Sequence, residues 1–107
     1  MAEETEQRHE IPHIEGPVSV YSILTAMTDQ LAMMAWQKLG LQPDILTGKI
    51  HRDLEEAKLA IDLTTHLASF IEPKLDEDDK RRIHNLIRDL RINYVEQSKE
   101  AQKSAEP

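Results

Sequence analysis

The chain has 107 residues and a mass of 12.3 kDa, a length that predicts one domain at most. It carries 20 acidic and 13 basic residues, for a formal net charge of -7, and it has three glycines and no cysteine. A disulfide framework and a thiolate metal site are therefore excluded. The negative net charge also argues against general binding to nucleic acid, because such binding needs an excess of Lys and Arg to contact the phosphates.

The acidic charge is concentrated at the N-terminus. Residues 1–15 contain five acidic side chains and a single basic one, Arg8. A polar segment broken by Pro12 and Gly16 cannot bury enough apolar area to offset its ordering entropy. The organisation we expect is a disordered acidic tail over 1–16, a three-helix domain over 17–97 and a flexible tail over 98–107.

The first predicted helix spans residues 19–39. Ser19 or Ser22 can cap it, because a Ser hydroxyl accepts from the free N–H groups of a first turn. Gly40 is placed to close it as a left-handed residue. Its apolar stripe has helical spacing. The stripe is Val20, Ile23, Leu24, Met27, Leu31, Met34 and Ala35.

The second predicted helix spans residues 53–72. Asp53 and Glu56 have the spacing of a capping box, with an acid in place of the usual Ser or Thr. Pro73 stops the helix, since Pro disfavours helix in the preceding residue. Leu59 and Phe70 widen an apolar arc that suits two neighbouring helices or a second subunit. The arc itself is Leu54, Ala57, Ala60, Ile61, Leu63, Thr64, Leu67, Ala68 and Ile71.

The third predicted helix spans residues 77–96, with Asp76 as its cap and acidic side chains in its first turn. Its apolar stripe is Ile83, Leu86, Ile87, Leu90 and Tyr94. No segment between the helices is long enough to pair as a strand. The predicted fold class is all-α, a three-helix hairpin or bundle. A core of about 80 residues is marginal alone, so we expect oligomerisation to complete it.

Several short sequence pieces resemble a known family. They are Leu39-Gly40, Pro43-Asp44, Thr47-Gly48, Asp53-Leu54-Glu55, Leu90-Arg91 and Tyr94-Val95. Over residues 17–97 the chain resembles the small bacterial proteins grouped as domain of unknown function 1844. The resemblance implies a bacterial, cytoplasmic, all-helical protein, and it implies no reaction. Where the family carries a Lys-Thr-x-Gly-Asn-Leu type of turn before the third helix, this chain has Ile71-Glu72-Pro73-Lys74-Leu75.

The first helix is apolar on more than one side, because Trp36 and Met33 lie off the main stripe. Such a helix is buried all round or lies in an interface. We expect self-association, with a dimer favoured. An unidentified protein partner, a membrane surface, and an intramolecular core with Trp36 covered by residues 40–52 are the alternatives. The predicted contact residues are Met27, Leu31, Met33, Met34, Trp36 and Leu39.

The third helix places positive side chains on one arc, which we call the basic arc. It consists of Arg81, His84, Arg88 and Arg91. One interpretation is a face for an acidic partner, which would make the chain a nucleic-acid- or phosphate-associated regulator. The interpretation we favour is a solvated flank that neutralises acids on a neighbouring helix, because surface charge arcs are common. The acids expected to pair with it are Glu55, Glu56 and Asp62.

The sequence offers no constellation typical of catalysis or metal binding. His9 and His13 are four apart, but Pro12 separates them, and the other histidines are scattered. The acids fall at caps, on polar faces or in tails, so we expect no enzyme activity, no metal and no cofactor. No apolar run is long enough to span a membrane, and the N-terminus lacks the pattern of a signal peptide. A cytoplasmic interaction or assembly protein is the function we expect.

Overall fold

The computed structural model describes residues 16–105. It contains three helices, α1 (Val20–Lys38), α2 (Leu54–Ile71) and α3 (Glu77–Ala105), with a 3-10 turn over Glu72–Lys74 between the last two. The described residues contain no strand, so the predicted all-α class with three helices is confirmed. The disorder expected for residues 1–15, and the last two residues of the expected C-terminal tail, lie outside the described residues.

The two ends of α1 follow from Ser19 and Gly40. The Ser19 hydroxyl accepts from the Tyr21 N–H at 3.1 Å, so Ser19 rather than Ser22 is the cap. At the other end Gly40 has φ +81, and its N–H donates to the Gln37 carbonyl while the Leu41 N–H donates to the Trp36 carbonyl. These two bonds form a Schellman motif, which confirms the predicted role of Gly40.

The caps of α2 and α3 use aspartate, as the sequence indicates. The Asp53 carboxylate accepts from the Glu56 N–H at 3.1 Å. The Asp76 carboxylate accepts in the same way from the Asp79 N–H at 2.8 Å. Each bond satisfies an N–H that has no partner inside the helix. Pro73 lies in the 3-10 turn that follows α2, so the predicted break occurs where the helix ends.

The third helix is longer than predicted. It continues nine residues beyond the expected end at Glu96 and stops at Ala105. Residues 98–105, expected as a flexible tail, are therefore helical. The stretch is rich in Lys, Glu, Gln and Ala, all strong helix formers, and it contains no Gly or Pro before Pro107. A polar composition of this kind is compatible with a helix as well as with a tail.

The core is built on α2, against which both α1 and α3 pack. Alanines make up much of the contact between α1 and α2, and small side chains let two helix backbones approach closely. Leu90 of α3 is fully buried against this hairpin. The buried cluster is Ala32, Ala35, Leu39, Ala57, Ala60, Ile61 and Leu90. The core therefore occupies the α1–α2 contact and the side of the hairpin that α3 covers.

The connection between α1 and α2 is a hydrogen-bonded loop. The Asp53 N–H donates to the Lys38 carbonyl at 2.8 Å, which joins the two ends of the loop. The Ile45 N–H donates to the side-chain oxygen of buried Gln37 at 3.3 Å. Inside the loop, the Asp44 N–H donates to the Lys49 carbonyl at 2.8 Å. Closed ends and internal bonding make it an Ω-loop that fixes the start of α2 relative to α1.

Candidate functional site

An apolar groove runs between α1 and α2. Its larger section has a volume of about 520 Å³ and is lined by Ile23, Ala26, Met27, Gln30, Leu31, Leu63 and Leu67. A smaller section of about 150 Å³ is lined by Leu31, Met34, Lys38, Glu56, Leu59, Ala60 and Leu63. Leu31 and Leu63 line both sections, so the two form one groove. Every lining residue belongs to α1 or α2, and the groove lies on the side of the hairpin that α3 leaves open.

Large apolar side chains of the groove are exposed to solvent. Ile23, Met27, Leu59, Leu63 and Phe70 are between 39% and 59% exposed. Phe70 follows Leu67 by three residues and extends the same side of α2. We define the hairpin groove by eight apolar side chains. They are Ile23, Met27, Leu31, Met34, Leu59, Leu63, Leu67 and Phe70. A contiguous exposed apolar patch is typical of a surface that binds another molecule.

The hairpin groove carries little charge. Gln30 is the polar residue of its larger section. At the end near the loop, Lys38 and Glu56 form an ion pair of 3.2 Å that joins α1 to α2. Because Lys38 and Glu56 neutralise each other, this end of the groove has no net charge that would attract a charged ligand. The groove therefore suits a second apolar surface rather than a polar small molecule.

The structure divides the six predicted contact residues into three groups. Met27, Leu31 and Met34 line the hairpin groove. Met33 and Trp36 are partly buried and line neither section, and Trp36 packs against the core cluster. The prediction is corrected at Leu39, which is fully buried inside the chain and offers nothing to a partner. Leu39 lies with Ala32 and Ala35 on the stripe of α1 that faces α2. The sequence pattern did not distinguish this stripe from the side of α1 that lines the groove.

The contribution of α2 to the groove was only partly predicted. The sequence predicts one broad apolar face on the second helix that includes Leu63 and Leu67 and is widened by Leu59 and Phe70. In the structure the buried stripe is Ala57, Ala60, Ile61, Thr64, Ala68 and Ile71. Leu59, Leu63, Leu67 and Phe70 are spaced four, four and three residues apart, which is the signature of a second stripe. That spacing was the signal available in the sequence.

The basic arc of α3 is engaged with nearby side chains. Arg81 pairs with Asp78 at 3.1 Å, and Arg88 lies 3.4 Å from Asp89. His84 contacts Glu72 in the 3-10 turn. These carboxylates belong to α3 itself or to the turn just before it.

The expected pairing of the basic arc with acids of α2 is wrong. Glu56 pairs with Lys38 of α1, and Asp62 pairs with Lys58 on its own helix at 2.9 Å. Arg91 instead reaches α2 through Thr65, to whose hydroxyl it donates at 3.3 Å. Residues three or four apart are neighbours on a helix surface, so Asp62 meets Lys58 and Arg81 meets Asp78 without any contact between helices. A role of the arc in binding nucleic acid or phosphate stays a prediction.

In the described part of the chain, two titratable groups have shifted pKa values, and each shift has a structural cause. The backbone N–H groups of Thr47 and Leu46 donate to the Asp44 carboxylate and lower its pKa below the ordinary 3.8. A hydrogen bond from Lys58 to Asp62, together with their attraction, raises the pKa of Lys58 above 10.5. The Asp44 carboxylate thus helps to form the loop turn, and the Lys58 ammonium forms an ion pair along α2.

Two features of the described part of the chain limit what kind of site it contains. Within residues 16–105, no three side chains of the His, Cys, Asp or Glu types are grouped closely enough to hold a metal ion. No helix of that part has the length and hydropathy needed to cross a membrane.

The chain matches one protein family. The model of the family described as Domain of unknown function (DUF1844) matches residues 21–96, which cover all of α2 and most of α1 and α3. The expected resemblance is thereby confirmed. No curated protein and no solved structure matches the chain.

Proposed function

Because the chain belongs to the DUF1844 family, whose description names no reaction, we propose a function from its surface. The chain is a non-catalytic assembly module that self-associates through the hairpin groove, with a dimer as the basic unit. The observation that carries this proposal is the row of half-exposed apolar side chains on the side of the hairpin opposite α3.

The size of the groove fits a protein interface. Five of the eight side chains are between 39% and 59% exposed, so together the eight present several hundred Å² of apolar surface. A standard interface buries about 800 Å² per partner, of which about 65% is apolar in homodimers. The groove therefore supplies about the apolar area that one partner contributes to a stable dimer.

A second copy of the chain is the occupant we propose. A twofold dimer places the same patch on both sides of the interface, so the patch must be self-complementary. The hairpin groove meets that demand because its side chains are aliphatic or aromatic and its one ion pair is internally compensated. Two antiparallel helix pairs joined face to face form a four-helix bundle, a standard way to bury such stripes.

The location and the absence of catalysis are also part of the proposal. The carboxylates whose contacts are given above take part in ion pairs, helix caps or the Asp44 turn, and we assign none of them to proton transfer. We place the assembly in the cytoplasm. Fractionation of bacterial cells that carry a tagged full-length chain measures that location, and recovery with membranes or the periplasm would contradict it.

Introducing a charge inside the groove tests the interface. Met27→Lys and Leu63→Lys each place an ammonium group where a second copy would bury it, at a cost of several kcal/mol. We expect sedimentation velocity to show a multiple of 12.3 kDa for the natural chain and a monomer for either variant.

Val95→Lys is the matched control. Val95 lies on α3, away from the groove, and its exposure of 49% is close to the 47% of Met27. The control should keep the mass of the natural chain. A natural chain that is monomeric at all concentrations, or groove variants that remain oligomeric while still folded by circular dichroism, would overturn the proposal. A monomer whose groove binds another protein would assign the patch to that partner instead.

A further inference from the structure

The basic arc continues along the side of α3 that borders Thr65 of α2, with apolar side chains beside it. His84, Arg88, Arg91, Val95 and Lys99 follow one another at intervals of three or four residues, so they share one face of the helix. The acidic residues Asp89, Glu96 and Glu100 fall on a different face. Segregation of charge on a single helix creates a directional positive potential even though the chain is acidic overall.

A depression lies within this face. Its volume is about 430 Å³, and its lining residues are Thr65, His84, Ile87, Arg88, Arg91 and Ile92. Ile92 is about half exposed at its edge. An apolar floor beside two guanidinium groups fits a ligand that combines carboxylates with aliphatic side chains.

The local partners of the basic arc do not close this face. The side chains of Arg81 and Asp78 are 67% and 82% exposed, and the Arg88–Asp89 contact is also well exposed. Exposed ion pairs contribute little to stability, so an incoming carboxylate can replace them. Arg91 has a hydroxyl rather than a carboxylate as its hydrogen-bond partner.

We propose that the chain's own N-terminal segment, residues 1–15, binds the basic arc and the depression beside it. The segment lies outside the described residues, and its sequence supplies the chemistry that the site fits. The segment contains five carboxylates and one Arg, so its charge is opposite to that of the basic arc. Its apolar side chains Ile11 and Ile14 suit the apolar floor of the depression. This contact goes beyond self-association and concerns a separate surface.

The start of α1 is placed so that the segment can reach the arc within the same copy. The Lys74 ammonium lies 5.3 Å from the centre of the Tyr21 ring, which holds the first turn of α1 beside the turn that precedes α3. Fifteen extended residues span up to about 50 Å. The arc from Arg81 to Arg91 extends only about 15 Å along its helix.

A spin label on the segment tests this contact. The chain has no cysteine, so Thr5→Cys creates a single labelling site without changing the charge. With a nitroxide at that position, we expect loss of the amide signals of His84, Arg88 and Ile92 in low salt. The amide signal of Ala105, about 25 Å further along the helix than Arg88, should be much less affected. In about 1 M salt, where the Debye length is about 3 Å, the lost signals should return.

Charge reversal gives the matched comparison. Arg88→Glu with Arg91→Glu should restore the signals in low salt. Arg82→Glu with Lys103→Glu changes the net charge equally on another face of α3 and should leave them lost. Absence of any loss in low salt, or equal recovery in both double variants, would overturn the proposal. A loss seen only when labelled and isotope-enriched copies are mixed would overturn binding within one copy.

Discussion

Leu31 of α1 and Leu63 of α2 line both sections of the hairpin groove and join them into one surface. Truncation at this junction should weaken association more than folding, because Leu63 is already 39% exposed in the single chain. We expect Leu63→Ala to raise the dimer dissociation constant about tenfold, corresponding to about 1.4 kcal/mol. Dilution monitored by sedimentation measures it. Leu46→Ala, at the 92% exposed loop position, should leave the constant unchanged.

The contact between α1 and α2 depends on small side chains. Ala57 is fully buried and belongs to the cluster that also contains Ala35 and Leu39. We expect Ala57→Leu to lower the free energy of unfolding by about 1–3 kcal/mol, because the added methyl groups force the helices apart. Urea denaturation measures this change. Equal or greater stability for the leucine variant would show that the helices are not in close contact there.

Gly40 and Gly48 give a matched pair of backbone tests. Both have positive φ, +81 and +71. A Cβ at Gly40 would lie 3.1 Å from the Arg52 Cβ, whereas a Cβ at Gly48 would meet nothing within 4 Å. Each alanine variant should lose about 1–2 kcal/mol from left-handed strain, and Gly40→Ala should lose more because Arg52 must also move. Thermal unfolding at equal concentration compares them, and a larger loss at Gly48 would contradict this account.

The stability of the turn at Asp44 should depend on pH in the acidic range. Its carboxyl has a folded pKa below the ordinary 3.8, so it contributes stability above that pH. The contribution is lost as pH falls through the lowered folded pKa. We expect the protection of the Leu46 and Thr47 amides against exchange, taken relative to the intrinsic rate at each pH, to fall through this range. In Asp44→Asn, which cannot ionise, the acid-dependent step should disappear, and a step that persists would show that another group controls the turn.

The sequence predicted those features of the fold that depend on single residues or on local spacing. Ser19, Asp53 and Asp76 cap their helices because short oxygen-bearing side chains satisfy first-turn N–H groups, and Gly40 closes α1 because it adopts positive φ without strain. The end of α3 was missed because no residue type between Glu96 and Pro107 stops a helix. A polar stretch of good helix formers is not distinguishable from a tail by hydropathy alone.

The candidate site was predicted only in part, for a reason of geometry. A helical wheel shows that α1 is apolar around most of its circumference, but not which flank a third helix covers. Leu39 is buried on the side of α1 that faces α2. Trp36 packs against the buried cluster, as do Leu86 and Tyr94 of α3, whereas Met27 stays exposed in the groove. That division follows from the side on which α3 docks. Docking depends on contacts between residues far apart in sequence, which no local pattern contains.

Nuclear Overhauser effects between copies test the central claim most directly. Isotope-labelled and unlabelled chains are mixed, and only contacts between a labelled and an unlabelled copy are recorded. Self-association through the hairpin groove predicts such contacts from the methyl groups of Met27, Leu31, Leu63 and Leu67. The account would be contradicted by an oligomer in which these methyl groups show no contact to the other copy, while Met33 or the Trp36 ring does.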